Sequence, residues 1–107
     1  MPLKIKQKDT QQVIAEGTPD DKSALLFEGN WYFVPDHVDM QHLKVTERTY
    51  TCPYKGVCYW IDLDSPTLKA QNIGWVYQNP KPGFEMIKDQ IGFYARDTQG
   101  TLAVREE

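Results

Sequence analysis

Apolar and polar residues alternate along most of the chain, in short runs rich in Val, Ile, Thr, Tyr, Phe and Trp. This period of two is typical of strands with one buried face. Gly, Pro, Asn and Asp interrupt the runs about every 8–20 residues, as expected for an antiparallel all-β domain. The pattern predicts strands near residues 3–8, 11–16, 25–28, 31–34, 45–52, 57–63, 67–71, 73–78, 90–96 and 101–105.

Helix is predicted only as one or two short turns. Asp36 is expected to cap a turn over residues 37–43, because its carboxylate can accept a backbone N–H. A second turn is expected over residues 84–89, and neither segment is long enough to form without a sheet behind it. Without repeats or linkers, residues 1–107 are expected to form one all-β domain, a small antiparallel sandwich or barrel.

Alternation also predicts where the large side chains point. The core face of the strand at 57–63 is predicted to carry Val57, Tyr59, Ile61 and Leu63. Trp60 then lies on the opposite face, where a ring of that size needs a loop, a partner or a ligand to cover it. On the next strand one face is shared by Ile73, Trp75 and Tyr77, and on the strand at 90–96 Tyr94 lies opposite Ile91 and Phe93. The sequence therefore predicts a concave surface lined by aromatic side chains.

Composition excludes several classes of partner. With 12 Lys+Arg against 15 Asp+Glu, the chain lacks the basic excess that binding a nucleic-acid backbone requires. Lys4, Lys6 and Lys8 are interpreted as the charged face of an edge strand, protected from aggregation. The longest apolar run, Val57 to Ile61, is far below the about 20 residues of a membrane span. No secretory signal is recognised at the start, so a reducing cytoplasm is the expected location.

One segment, Thr49 to Trp60, is unusual because a Pro/Gly turn with a lysine at its bend joins two strands. Its Cys-Pro-Tyr-Lys-Gly motif and the Tyr-Trp pair that follows resemble the domain of unknown function 427 family, also labelled nucleotidyltransferase family 9. Further motifs at 31–35, 75–80 and 91–94 extend the resemblance over about residues 3–95. The resemblance implies a small β domain, β-tent-like, and no established reaction. It places motif positions at Tyr32, Pro35, Cys52, Pro53, Lys55, Gly56, Tyr59, Trp60, Trp75, Tyr77, Pro80, Phe93 and Tyr94.

Two residues of this segment are candidates for chemistry. Lys55 is either an ammonium that binds an anionic ligand or simply part of a turn, and the turn alone explains Gly56 but not the lysine. Cys52 is either a thiolate stabilised by the nearby ammonium or a buried structural cysteine. A disulfide between Cys52 and Cys58 is not expected in a reducing compartment.

Metal and nucleotide chemistry are both disfavoured. The spacing of Cys52 and Cys58, with His37 and His42, is not that of a zinc site, so neither metal nor other cofactor is predicted. Asp62 and Asp64 project from one strand face and are candidates for a shared cation. The chain, however, has no phosphate-binding glycine loop and no evident third carboxylate, so nucleotidyl transfer is not favoured.

Three hypotheses about function follow. The first is a binding module that takes a small organic anion or a peptide segment in an aromatic-lined pocket. The candidate ligand-binding residues are Lys55, Trp60, Trp75, Tyr77, Tyr94, Cys52 and Tyr32. The second is an enzyme with Cys52 or Lys55 as its reactive group. The third is a structural or assembly module in which exposed aromatic side chains form a homodimer face.

Overall fold

A computed structural model describes residues 1–106 and contains, over that range, nine strands and three single 3-10 turns. The strands are β1 Leu3–Gln7, β2 Val13–Gly17, β3 Ala24–Phe27, β4 Asn30–Phe33, β5 Leu43–Cys52, β6 Gly56–Asp64, β7 Lys69–Val76, β8 Ile91–Tyr94 and β9 Thr101–Arg105. The 3-10 turns are Pro19–Asp21, Pro35–His37 and Glu85–Ile87. No helix within residues 1–106 has the length and apolar character needed to cross a membrane.

The strands form two antiparallel sheets. The smaller sheet has the order β2-β1-β9 and the larger the order β3-β4-β8-β7-β6-β5. Each sheet is open at both ends of its strand order, so the fold is a two-sheet arrangement and not a closed barrel. The prediction of an all-β antiparallel domain is confirmed.

The main core lies where the two sheets meet, and we call it the inter-sheet core. Leu3 and Ile5 of β1 are fully buried against residues of the larger sheet that include Phe33, Ile61 and Phe93. The remaining buried members are Ile14, Ala15, Ala24, Trp31, Val38, Leu63, Ala70, Ile73, Val76 and Ile91. One face of the larger sheet is therefore committed to stability.

The other face of the larger sheet carries a second hydrophobic group, the outer-face cluster. Its buried members are Tyr32, Cys52, Cys58, Trp75, Tyr77 and Ile87. Strand alternation divides the two groups, since Trp31 and Phe33 of β4 enter the inter-sheet core while Tyr32 between them enters the outer-face cluster. The 3-10 turn at Glu85–Ile87 covers part of this face with Ile87 and the neighbouring Phe84.

Strand β7 differs from prediction in two ways. It is one strand where two were expected, at 67–71 and 73–78. Asn72 adopts a left-handed conformation, with φ 59°, at an irregularity where the β6–β7 register shifts between Ile61 and Leu63. This bulge changes the alternation, so Ile73 enters the inter-sheet core while Trp75 enters the outer-face cluster. The prediction that Ile73 shares the face of Trp75 and Tyr77 is wrong for this reason.

Two smaller expectations are also corrected. Strand β1 is the central strand of its sheet and not an edge; Lys4 lies opposite Glu16 on β2 and its Nζ is 2.6 Å from a carboxylate oxygen of Glu106. Val57 is 42% exposed because it adjoins the turn at the hairpin end, and it belongs to neither hydrophobic group.

The predicted turn over 37–43 is misplaced as well, while the one within 84–89 is confirmed. The observed turn spans Pro35–His37, and Val34, not Asp36, occupies the N-cap position. Proline fixes the φ of the first turn residue, which starts the turn earlier than a side-chain cap at Asp36 would. Val38 is already extended and bridges to Ala15. The remaining turn, at Pro19–Asp21, is capped by the Thr18 hydroxyl, and the sequence pattern did not predict it.

Candidate ligand-binding cleft

A row of neighbouring residues across four central strands forms the floor of the candidate site. Tyr32 on β4 lies opposite Gly92 on β8, and Gly92 lies opposite Trp75 on β7. Trp75 in turn lies opposite Trp60 on β6. Residues in such a row project from the same face of a sheet, so antiparallel pairing brings together side chains that are far apart in sequence.

Trp75 is the centre of this floor and is only 6% exposed. Its ring makes edge-to-face contacts with the rings of Tyr94, Tyr32 and Trp60, at centroid distances of 4.9, 6.0 and 6.2 Å. Such arrangements are favoured by the quadrupoles of the rings. Tyr50 of β5 tilts against Trp60 at 6.2 Å and extends the aromatic surface to the sheet edge.

Gly92 makes this arrangement possible. A Cβ atom at this position would lie 2.6 Å from Nε1 of Trp75 and 3.0 Å from Cε2 of Tyr32. The indole therefore occupies the space that a side chain on β8 would fill. From there Trp75 Nε1–H donates a hydrogen bond of 3.1 Å to the Tyr32 hydroxyl, which fixes both rings.

A cleft of about 170 Å³ opens above the floor. It is lined by Asn30, Tyr32, Tyr50, Lys55, Cys58, Trp60, Trp75, Tyr77 and Tyr94. Six of the seven predicted site residues thus line one cleft, and Cys52 does not. A larger groove of about 550 Å³ runs beside β2, but it contains none of the predicted site residues.

Lys55 lies at the bend between β5 and β6, and its ammonium forms an ion pair with Glu28 in the β3–β4 turn. Burial opposes the charged form of Lys55, but the hydrogen bond and charge of Glu28 outweigh burial and raise the pKa above its ordinary value. The ammonium is therefore charged at neutral pH, and the cation of the cleft already has a carboxylate partner.

Two phenol groups in the cleft keep their protons. Burial raises the pKa of Tyr32, against the lowering effects of the Trp75 hydrogen bond and the Lys55 charge. Burial also raises the pKa of Tyr77, whose hydroxyl lies beside the thiol of Cys58. Because the Tyr32 oxygen accepts from Trp75, its own O–H can act as a donor.

The two cysteines have different surroundings, and both are free. Cys52 lies in the outer-face cluster, where its Sγ accepts the Lys55 backbone N–H at 3.4 Å. Burial opposes ionisation of Cys52, but backbone N–H groups of Lys55 and Tyr54, with the Lys55 charge, lower the pKa of its thiol. Burial raises the pKa of Cys58, which lines the cleft. Cys52 is thus the more ionisable thiol, although it lies outside the cleft.

Sequence reasoning missed four residues of the site. Tyr50 and Asn30 share strand faces with Cys52 and Tyr32 by alternation, a signal that is present in the sequence. Cys58 is predicted on the correct face, opposite Val57 and Tyr59, but is not among the candidates. Glu28 reaches Lys55 across 27 positions of sequence, and no local pattern indicates such a contact.

The aspartates considered for cation binding are paired with basic side chains. Asp62 accepts from Arg48 and from the backbone N–H of Asn72, and Asp64 pairs with Lys69. The hydrogen bond and charge of Lys69 lower the pKa of Asp64. In residues 1–106, no group of three or more His, Cys, Asp or Glu side chains is placed to hold a metal ion.

The fold and the site together define a class of protein: a compact all-β domain with an aromatic cleft on the outer face of its larger sheet. Residues 5–104 match the family described as "Domain of unknown function (DUF427)", which carries the label NTP_transf_9. The chain therefore belongs to this family, as the sequence motifs predicted.

The fold also resembles that of a solved structure. The crystal structure of the Mis18 "Yippee-like" domain aligns with a TM-score of 0.68 at 12% identity, covering 100% of this chain and 99% of that one. At that identity the likeness concerns the fold alone. No curated protein matches the chain in sequence.

Proposed function

We propose that this domain is a binding module that takes a small organic anion, or one end of a peptide segment, in the aromatic cleft. The observation that carries this proposal is the convergence of six predicted residues, among them the Lys55 ammonium, on one cleft. Aromatic walls supply apolar contact, and a single charged group fixes the orientation of what binds.

The size of the cleft supports a small ligand. Pockets that enclose a drug-sized molecule have volumes of about 300–1,000 Å³, whereas this cleft measures about 170 Å³. It admits one ring or one side chain with its attached polar group. The floor is also rigid, because its residues lie on strands and Trp75 is held by three neighbouring rings.

The proposal is tested by ligand titration of the full chain. Trp60 and Trp75 line the cleft while Trp31 lies in the inter-sheet core, so binding should change tryptophan fluorescence. A thermal-shift screen of organic acids, sugar phosphates, and nucleotides with Mg²⁺ provides the probes, because native-state binding raises Tm.

Matched variants connect any binding to the cleft. Lys55→Ala and Trp60→Ala should each weaken a probe at least about tenfold, while Lys44→Ala, at an exposed lysine outside the cleft, should not. Equal affinity in Lys55→Ala and wild type would remove Lys55 from the site. Stabilisation by a nucleotide only with Mg²⁺ would instead favour nucleotidyl chemistry.

Exposed apolar side chains favour a second candidate function, self-association. Tyr50 on the edge strand β5 and Tyr54 in the turn that follows it are 52 and 75% exposed. A homodimer that covers these side chains would remove apolar surface from water. Sedimentation velocity at increasing protein concentration tests this candidate, and a monomer at every concentration would exclude it.

The state of the two cysteines supports a proposal about the compartment in which the protein works. Two unlinked, buried cysteines support the proposal that the domain works in a reducing compartment such as the cytoplasm.

A further inference from the structure

We propose that the charged end of the ligand is a carboxylate, and that Glu28 occupies the position of that carboxylate in the unliganded domain. This inference rests on the proposed binding function and deepens it. It assigns a chemical class to the ligand and a specificity role to a residue outside the cleft lining. The observation that supports this inference is the ion pair between Glu28 and Lys55.

The backbone at Glu28 is unusual for a glutamate. Phe27 pairs with Asn30, which leaves a two-residue turn of Glu28 and Gly29. Both turn residues have positive φ, 53° and 80°, and hairpin turns of this kind favour Asn-Gly or Asp-Gly. A Cβ in the left-handed region crowds the following carbonyl, so local turn preference does not account for Glu28. Its contact with Lys55 does.

The two partners of the ion pair differ in freedom. The Glu28 side chain is 49% exposed at the tip of a turn, and the Lys55 side chain is only 17% exposed. The Lys55 backbone is also fixed, since its carbonyl accepts the Lys81 N–H at 2.9 Å and its own N–H is bonded to Cys52. Glu28 can therefore turn into solvent while the ammonium stays at the cleft.

A ligand carboxylate can replace Glu28 at the same ammonium. The ammonium offers three N–H donors, and the nearby Tyr32 hydroxyl offers a further donor to the same acceptor group. The apolar part of the ligand then lies on Trp75 and Trp60, a contact that Glu28, held in its turn, does not supply. This extra contact is the reason that a ligand would displace the internal carboxylate.

The charge of the site favours a carboxylate over a phosphate. Lys55 is the one basic residue among those that line the cleft within the described chain. Arg96 lies outside that lining and stacks on the Tyr94 ring at 4.5 Å. One positive charge matches a carboxylate monoanion, whereas a phosphate monoester carries about −1.5 to −2 at neutral pH. The displaced Glu28 would repel the second charge further.

Two sources can supply such a carboxylate: a free aromatic acid, or the C-terminus of a peptide whose last side chain is aromatic. The probes are therefore benzoate, its neutral analogue benzamide, phenyl phosphate, and a tetrapeptide ending in phenylalanine with a free or an amidated C-terminus. Each is titrated into wild type, Glu28→Gln and Lys55→Met by calorimetry. Glu47→Gln is the matched control, since it removes the same charge from an exposed residue that does not line the cleft.

The expected result is selective for charge. Glu28→Gln should bind benzoate, or the free peptide, about fivefold more tightly than wild type, since the ligand no longer competes with the internal ion pair. Benzamide and the amidated peptide should be unaffected, and Glu47→Gln should behave as wild type. Lys55→Met should lose the preference for acid over amide. Tighter binding of benzoate than of the free peptide indicates the small-molecule source, and the reverse order indicates the peptide source.

The experiment distinguishes failure of this inference from failure of the proposed binding function. If the probes bind and Trp60→Ala weakens them, but Glu28→Gln binds acid and amide as wild type does, the displacement of Glu28 is wrong and the binding function stands. Tighter binding of phenyl phosphate than of benzoate would overturn the carboxylate assignment. If no probe binds wild type or any folded variant, both the carboxylate assignment and the proposed binding function are wrong. Far-UV circular dichroism of each variant verifies that the fold is retained.

Discussion

Gly92→Ala provides the sharpest test of how the aromatic floor is built. Gly92 has no positive φ, so the backbone accepts alanine, and strand propensity alone predicts a small gain in stability. The added Cβ, however, would lie 2.6 and 2.7 Å from Nε1 and Cε2 of Trp75. The substitution therefore sets a favourable local preference against a tertiary clash.

The clash should dominate because the indole has no room to move. Trp75 is 6% exposed and the Tyr94 ring lies 4.9 Å away. Forcing a methyl group into a packed site costs about 1–3 kcal/mol, and separating Trp75 from the Tyr32 hydroxyl adds the cost of an unpaired buried donor, about 1–3 kcal/mol. We expect a loss of about 3 kcal/mol, which in a domain of this size lowers Tm by about 10–20 °C.

Urea unfolding followed by tryptophan fluorescence measures this loss directly, provided that the m value is unchanged. Trp75→Leu removes the two atoms that clash, because the leucine side chain ends at Cδ, so the double variant should be more stable than the sum of the single effects by over about 1 kcal/mol. Gly29→Asn is the control, because a Cβ added at Gly29 would meet no other part of the protein within 4 Å and Asn tolerates positive φ. Stability of Gly92→Ala within about 0.5 kcal/mol of wild type, or strict additivity with Trp75→Leu, would refute the reasoning.

Three further predictions concern single side chains. Tyr32→Phe leaves the buried Trp75 N–H without its acceptor and should lower the free energy of unfolding by about 1–3 kcal/mol in urea. Ser65→Ala removes a 2% exposed hydroxyl that donates one hydrogen bond and accepts three, and should cost about 2 kcal/mol by the same measurement. In Cys58→Ser, alkylation of Cys52 by iodoacetamide should rise at a lower pH than for a free thiol, because a lowered pKa increases the thiolate fraction near neutral pH.

Each of these predictions has its own control. Tyr54→Phe removes a hydroxyl from a residue that is 75% exposed and should leave stability unchanged, so an equal loss there would contradict the explanation for Tyr32. A Ser65→Ala variant as stable as wild type would show that water replaces those bonds. A Cys52 alkylation profile that matches free cysteine from about pH 6 to 9 would contradict the lowered pKa and remove Cys52 as the reactive group of an enzyme.

Much of the fold could be predicted because strand alternation is a local property. The predicted bounds of β4, β6 and β8 agree with the structure to within a few residues, and the predicted faces of Trp60 and Tyr94 are correct. The errors fall where a tertiary contact overrides the local pattern. The bulge at Asn72 and the central position of β1 both depend on strand neighbours that no short window of sequence contains.

The site was predictable to the extent that its residues lie on strand faces. Trp60, Trp75 and Tyr94 meet because their strands are neighbours in the larger sheet, and each face is visible in the sequence. The partner of Lys55 could not be predicted, because Glu28 lies in a different hairpin and reaches the lysine only once both hairpins are in one sheet. The location of Cys52 outside the cleft likewise depends on the turn that follows it.

The division of the larger sheet between two faces has a consequence for how this family can diverge. On one strand, neighbouring positions serve different purposes, as Ile61 in the inter-sheet core and Trp60 in the cleft show. Substitutions at the cleft positions can therefore alter recognition while the adjacent positions maintain the fold. A library randomised at Asn30 and Tyr50, which line the cleft and are not among the three rings that hold Trp75, would retain the scaffold and vary its ligand, which makes the domain a natural starting point for engineered binders.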